Sequence, residues 1–501
     1  MASSESQFAD RGRSVTTEAS VTTKNVSTVF LLKVVQYPFL ALSVMLIPRM
    51  MGPEVYGQYA FLTSIIVIAA SFADLGVEAI FGSFVPEYEV RGELSRVNKL
   101  FSNFIALKVG IDLAASLLLF PLLLVLFGGR FPVGYFLLVV VTFLVADWGS
   151  VPLALLFGLN KLGKYSLREP VRRALSITFV IALYHLYGLT GAIISILLTE
   201  LCLGSVYFYW TRKHLSRENL RVEFSFLKPY LTFGFTFYLC WVLVNLWQRS
   251  GNSLIQLMTN DPRQVAFFDM PNQIFLITVT FALSIIPSMA PIFGKLLLTG
   301  KEGKLVTWST LLVKYSGVVC MVAFGGFVIA GRDLIPLVIG RDYIGIYSNG
   351  VILLSGLFPM TFVQLGVALS VAYKEPTKYL KALVCAFLTF LLVSIFLVKR
   401  FASTGAALAT LASCLVLAGV MCYHFKERLL TPLVEGLKVI APGAIFLAIA
   451  RVTLVKNNLF FDLFVVFCFA LVHVSTLFAT RTLKLGEIKD ILDALRYRPG
   501  I

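Results

Sequence analysis

Residues 233–258 read FGFTFYLCWVLVNLWQRSGNSLIQLM. This stretch is long enough to cross the roughly 30 Å hydrocarbon core of a bilayer as a helix. Arg249 sits in its middle, with no opposite charge within one helical turn. A cation at that depth costs about 2.5–3.5 kcal/mol on insertion scales, so such residues usually face a cavity and bind something. Asn245, Arg249, Asn252 and Gln256 recur at helical spacing and share one face. That pattern points to a membrane protein that handles a charged substrate within the bilayer.

The rest of the chain agrees. Of its 501 residues 58% are hydrophobic and 14% charged, with mean hydropathy +0.85, which excludes an ordinary soluble domain. Apolar runs of spanning length recur about fourteen times. They lie at 26–47, 58–81, 101–127, 133–157, 174–187, 191–211, 233–258, 265–293, 310–331, 346–373, 382–398, 403–423, 438–455 and 459–480. Their length and all-round apolarity indicate helices, since barrel strands would be shorter and alternating.

The net charge of +16 is no nucleic-acid signature, because thirty Lys and Arg fall in one set of alternate loops and termini and nine in the other. The positive-inside rule then places both termini in the cytoplasm. The seven cysteines form no CxxC pair, the four histidines are dispersed, and neither a metal site nor a cofactor site is expected.

An internal repeat runs through the chain. Leu162-Gly163-Lys164-Tyr165 matches Pro376-Thr377-Lys378-Tyr379, and Thr190-Gly191-Ala192 matches Thr404-Gly405-Ala406, both 214 residues on. Lys108 matches Lys314 at a distance of 206, and Pro86 matches Pro291. The expected fold is an all-α polytopic membrane protein with two six-helix lobes, 26–211 and 233–423, joined by a cytoplasmic linker, 212–232. Two further helices follow at 424–480. A disordered tail is expected at 1–25 and an amphipathic cytoplasmic tail at 481–501. Two lobes of like topology predict a substrate path between them and alternating access.

Arg49-Met50-Met51-Gly52-Pro53-Glu54-Val55-Tyr56-Gly57, then Ala73-Asp74-Leu75-Gly76 and Pro86-Glu87-Tyr88, resemble the N-terminal landmarks of Wzx-type polysaccharide flippases. Those belong to the multidrug/oligosaccharidyl-lipid/polysaccharide exporter superfamily. The resemblance covers nearly the whole chain. It implies a transporter, not an enzyme, that turns a polyprenyl-pyrophosphate-linked glycan from the inner to the outer leaflet for surface polysaccharides such as lipopolysaccharide. Its partners would be that lipid-linked glycan, membrane lipids and polysaccharide assembly proteins, with no nucleic acid.

The residues support that reading. Arg offers a fork of donors that matches pyrophosphate oxygens, and amides suit sugar hydroxyls. The substrate-binding candidates are therefore Arg249, Asn245, Asn252 and Gln256, with Asn272 and Gln273 as further amides. Lys33 and Gln36, one turn apart, either line the cavity or let the lysine snorkel to the interface.

Other intramembrane charges form a second group. Asp74 reads as a site for a coupling proton or sodium ion, or as the partner of a cavity cation. Glu78, four residues on, reads as interfacial. Lys108 and Asp112 are spaced for an ion pair within one helix, and Lys314 lacks any such neighbour. Asp147 and Asp269 are further candidates to face the lumen. Pro38, Pro152, Pro271, Pro287, Pro291 and Pro359 interrupt spans, where each either kinks its helix or serves helix packing.

Two rival functions remain open on sequence. A cation-coupled multidrug exporter would use the carboxylates, although the basic residues favour an anionic cargo. A membrane glycan polymerase would need a polar catalytic segment, and none of the loops carries one.

Overall fold

The computed structural model describes residues 2–453, 459–480 and 482–483. Among these, the side chains of 2–31, 33, 34, 217 and 449–453 are outside the described set. The described residues are helical, without strands. In chain order the helices are α1 (Ala2–Ala73), α2 (Val77–Val90), α3 (Leu94–Phe127), α4 (Val133–Trp148), α5 (Ser150–Gly158), α6 (Leu162–Ser166), α7 (Arg168–Thr211) and α8 (Phe224–Thr259). There follow α9 (Pro262–Ala282), α10 (Ile285–Ser288), α11 (Ala290–Leu298), α12 (Glu302–Val338), α13 (Ile346–Ser355), α14 (Leu357–Ala372), α15 (Pro376–His424), α16 (Lys426–Thr453) and α17 (Leu459–Ala479).

Ten helical segments among the described residues are long and apolar enough to span a membrane, and the bent pair α13–α14 makes an eleventh. Three of the ten are too long to be single spans. Val35–Ala73, Leu162–His214 and Pro376–His424 run for 39, 53 and 49 residues. At 1.5 Å per residue the shortest would measure about 58 Å, nearly twice the bilayer core. Each breaks inside, at Gly52, Gly188 and Ala402, where the backbone leaves the helical region. Counting each broken helix twice recovers the fourteen spans expected from sequence.

The breaks carry the repeat. Gly188 (φ 57°, ψ −137°) and Ala402 (φ 48°, ψ −123°) stand 214 residues apart. A Cβ on Gly191 would lie 2.0 Å from the Leu183 carbonyl oxygen, and one on Gly405 2.2 Å from that of Leu397. Eight residues apart on a straight helix are separated by about 12 Å. The chain therefore folds back on itself at both points, and only glycine fits the inside of each corner. Other left-handed residues also pair: Gly52 with Asn260 and Gly92 with Gly300, each 208 apart, and Asn160 with Lys374, 214 apart. The same landmarks that repeat in sequence thus mark the same turns in space.

The prolines divide between the two readings. The sharpest breaks hold no proline. Instead Pro152 and Pro359 sit in the first turn of α5 and α14, just after the breaks at Gly149 and Gly356. A proline there loses no helical hydrogen bond, because first-turn N–H groups have no partner within the helix. Pro38 lies within unbroken helix.

The chain divides into two compact units, one of residues 1–47 and 65–238 and one of 48–64 and 239–501. In the first, Phe81, Phe101, Phe104, Leu155 and Leu227 form a buried core between α2, α3, α5 and the start of α8. In the second, α16 and α17 pack on α12, where Met321, Leu447 and Phe469 meet. The two added helices are therefore part of the second unit's core. Helix α1 begins at Ala2. The expected amphipathic tail, 481–501, lies outside the described residues except for 482 and 483.

Candidate functional site

Arg249 lies on α8 in the second unit, and the next helix supplies the partner that its own sequence neighbourhood lacks. Its Nη1 is 3.8 Å from Oδ1 of Asp269 on α9. That is ion-pair distance rather than a hydrogen bond. Asp269 is buried, whereas the Arg249 side chain keeps 21% of its surface open. Two hydrogen bonds hold the carboxylate. Tyr56 of α1 donates its hydroxyl to Oδ2 at 2.7 Å, and Asn252 donates Nδ2 to Oδ1 at 2.7 Å. Asn252 also donates to the Ser64 hydroxyl at 2.7 Å.

Local sequence explains how these groups meet. Asp261 caps α9 through a bond from the Arg263 N–H, and Pro262 starts it, which fixes where the helix begins. A Cβ on Gly57 would fall 1.7 Å from the Pro262 carbonyl oxygen. Glycine at 57 is what lets α1 press onto this turn. Glu54 and Arg263 pair across the same contact at 3.3 Å. Tyr56 is thereby delivered to Asp269, two helical turns further along α9. The Gly52–Gly57 motif thus acquires a physical role: it anchors the carboxylate that holds Arg249.

The polar face of α8 is less open than its spacing suggested. Asn245, Asn252 and Gln256 are all buried. Asn245 donates to the Trp241 carbonyl, and Gln256 to Asn260 Oδ1 at 3.4 Å. Asn272 donates to the Gln248 carbonyl. The structure thus brings Arg249, Asn252 and Asp269 into one network and leaves Asn245 and Gln256 on the same helix face in local bonds. Gln36 is half-buried on α1, and the Lys33 side chain lies outside the described residues.

The first unit holds a second charged cluster. Lys108 on α3 is buried, and its closest acidic partner is Asp147 on α4, not Asp112 as its helical spacing predicted. Asp112 stands 3.6 Å away, and the ammonium also donates to the Ala73 carbonyl at 2.5 Å. That carbonyl ends α1, where helix oxygens lack partners and a cation is favoured. Asp74, the next residue, accepts from the Gly76 N–H at 2.9 Å and stabilises the break between α1 and α2. Glu78 is exposed and accepts from the Tyr165 hydroxyl at 2.8 Å. Lys314 reaches Glu435 on α16 at 3.4 Å, a partner 121 residues distant.

A family model described as "Polysaccharide biosynthesis protein" matches residues 22–297, more than half of the chain. The chain belongs to that family. Among curated protein sequences none matches. Solved structures with a similar fold include "Lipid II flippase MurJ, inward closed conformation". It has a TM-score of 0.71 and 12% identity, over 92% of this chain and all of that one. An inward-facing multidrug resistance MATE family transporter of the MOP superfamily gives 0.64 at 15% identity, covering 79% of this chain and 95% of that one. A MOP superfamily transporter from Pyrococcus furiosus gives 0.55 at 14%, covering 81% and 96%. At such identities the likeness is one of fold. This polysaccharide biosynthesis protein is a multi-pass membrane protein with the architecture of that transporter superfamily.

Three residues of this polysaccharide biosynthesis protein escaped the sequence reading of the site: Tyr56, Ser64 and Glu435. Tyr56 lay in view within the Gly52–Gly57 motif, although its partner 213 residues away did not. Ser64 gave no signal at all.

Proposed function

We propose that this chain turns a polyprenyl-pyrophosphate-linked oligosaccharide from the inner to the outer leaflet of the plasma membrane, by alternating access of its two lobes. The glycan would serve cell-surface polysaccharide synthesis, and both termini would lie in the cytoplasm. The observation that carries this reading is Arg249, an arginine within a spanning helix whose one acidic neighbour among the described residues is 3.8 Å away and whose surface stays partly open. A guanidinium has five N–H donors, and no hydrogen bond among the described residues engages those of Arg249. They are available to a diphosphate. Family membership supports a glycan cargo, and the shared fold with a lipid II flippase supports a lipid-linked one.

A cation-coupled multidrug exporter is the second reading, favoured by one observation: two buried carboxylates, Asp112 and Asp147, surround a single lysine. Lipid extraction and mass spectrometry on a host lacking the protein separate the two. Build-up of a polyprenyl-pyrophosphate glycan, cleared by wild type and not by Arg249→Ala, supports the flippase. An unchanged lipid pool with altered drug sensitivity replaces it with the exporter, and a truncated glycan points to a polymerase instead.

A further inference from the structure

The two oxygens of the Asp269 carboxylate have unlike surroundings. Oδ1 faces Asn252 Nδ2 and the Arg249 guanidinium, which can only donate. Oδ2 faces the Tyr56 hydroxyl at 2.7 Å, which can also accept. The network therefore accommodates the ionised acid as drawn, and the neutral acid once a proton sits on Oδ2 and the Tyr56 hydroxyl turns from donor to acceptor.

Charge makes this choice consequential. With Asp269 ionised, Arg249 already has a counter-ion, and a phosphate oxygen arriving at the guanidinium would sit beside a buried carboxylate. Like charges at such range in a poorly solvated site repel strongly. With Asp269 neutral, the arginine presents an uncompensated positive charge. Among the described residues, Tyr56 bonds the carboxylate and itself meets Tyr343 of the turn before α13 and Tyr59 of α1. From α12, α13, α14 and α15, also packed on α9, no ion-pair partner reaches Asp269 among the described residues.

We propose that Asp269 is an internal counter-anion that gives up Arg249 by taking a proton, so that binding of an anionic diphosphate and uptake of one proton occur together. The inference rests on the pyrophosphate reading of Arg249. In the forward step one proton moves from solution to Asp269 Oδ2, the Arg249–Asp269 ion pair breaks, and an Arg249–phosphate pair forms. Release of the anion reverses all three, and the proton leaves. Asp269 is in this sense a positioning residue, acting on the substrate through Arg249.

The test is calorimetry on the full-length protein in detergent, with a short-chain isoprenyl pyrophosphoryl-N-acetylglucosamine as probe. A pyrophosphate esterified at both ends keeps its charge across the neutral range, so any proton taken up belongs to the protein. Titrations in buffers of different ionisation enthalpy count those protons. The expected result for wild type is uptake of about one proton per probe, with affinity rising about tenfold for each pH unit lowered while Asp269 is ionised in the free protein. Asp269→Asn is expected to bind more tightly than wild type at high pH, with no pH dependence and no proton uptake. Asp269→Glu is expected to restore the uptake.

Wild-type binding without proton uptake overturns the proposal, and so does uptake that persists in Asp269→Asn. If that variant does not fold, the wild-type proton count decides alone. Equal probe binding by wild type and Arg249→Ala removes the arginine from the site and fails the underlying reading instead. A wild-type protein that does not bind the probe fails both.

Discussion

The first unit surrounds Lys108 with two carboxylates and a helix-end carbonyl, and leaves it almost no contact with solvent. The second unit gives Arg249 one carboxylate at a longer distance and leaves a fifth of the side chain open. Both are cations within apolar helices, and both have partners on the next helix. The difference lies in how far each charge is satisfied. A closed, short-range cluster holds helices together. A charge with spare donors and an open side can receive a ligand. Intramembrane charge alone therefore does not distinguish the two positions; the degree of compensation does.

The sharpest way to break this contrast is to remove each cation. Lys108→Met would leave Asp112 and Asp147 buried together without a counter-charge. Losing one member of a buried pair costs about 3–5 kcal/mol, so thermal stability in detergent and membrane yield should fall severely. Adding Asp147→Leu should recover at least about 1 kcal/mol, as expected for directly coupled residues. Arg249→Ala should behave otherwise, because Tyr56 and Asn252 still bond Asp269. Stability should change by about 1 kcal/mol, near the average for a point substitution, while glycan export is lost. A stable, export-deficient Lys108→Met protein would reverse the two assignments.

The same contrast explains what the sequence disclosed. Span positions were legible because each helix must satisfy its own backbone in lipid, which imposes a long apolar run. The repeat was legible because tight corners admit few residue types, as at Gly191 and Gly405. Arg249 stood out by its transfer cost. Its partner did not, since pairing within one helix follows a spacing rule and pairing between helices does not. That is why Lys108 was matched with Asp112 four residues on and not with Asp147, and why Lys314 was left without Glu435. Tyr56 was visible only as part of a motif until the fold brought it to Asp269.

A milder perturbation sharpens the second cluster. Tyr56→Phe removes one hydrogen bond to a buried carboxylate and little else. Bonds to charged groups contribute about 1.5–3 kcal/mol, so the thermal midpoint should drop by less than for Lys108→Met. Export should fall as well, because Asp269 is then less firmly held. An unchanged midpoint would mean that the motif tyrosine does not support the carboxylate.

The smallest expected effect comes from exchanging the kind of cation while keeping its charge. Arg249→Lys retains a positive charge near Asp269 but replaces a planar fork by a compact ammonium that cannot grip two phosphate oxygens in one plane. Stability should move by less than about 0.5 kcal/mol, as for substitutions that spare buried contacts. Export should fall about tenfold, equivalent to about 1.4 kcal/mol of lost ligand interaction. The converse exchange, Lys108→Arg, puts a larger group into a filled pocket and should cost about 1–3 kcal/mol through overpacking. If the arginine's geometry matters at 249 and only charge and volume matter at 108, the two exchanges will separate in this way. Equal export by Arg249→Lys and wild type would reduce Arg249 to a point charge and remove the argument for a bidentate diphosphate.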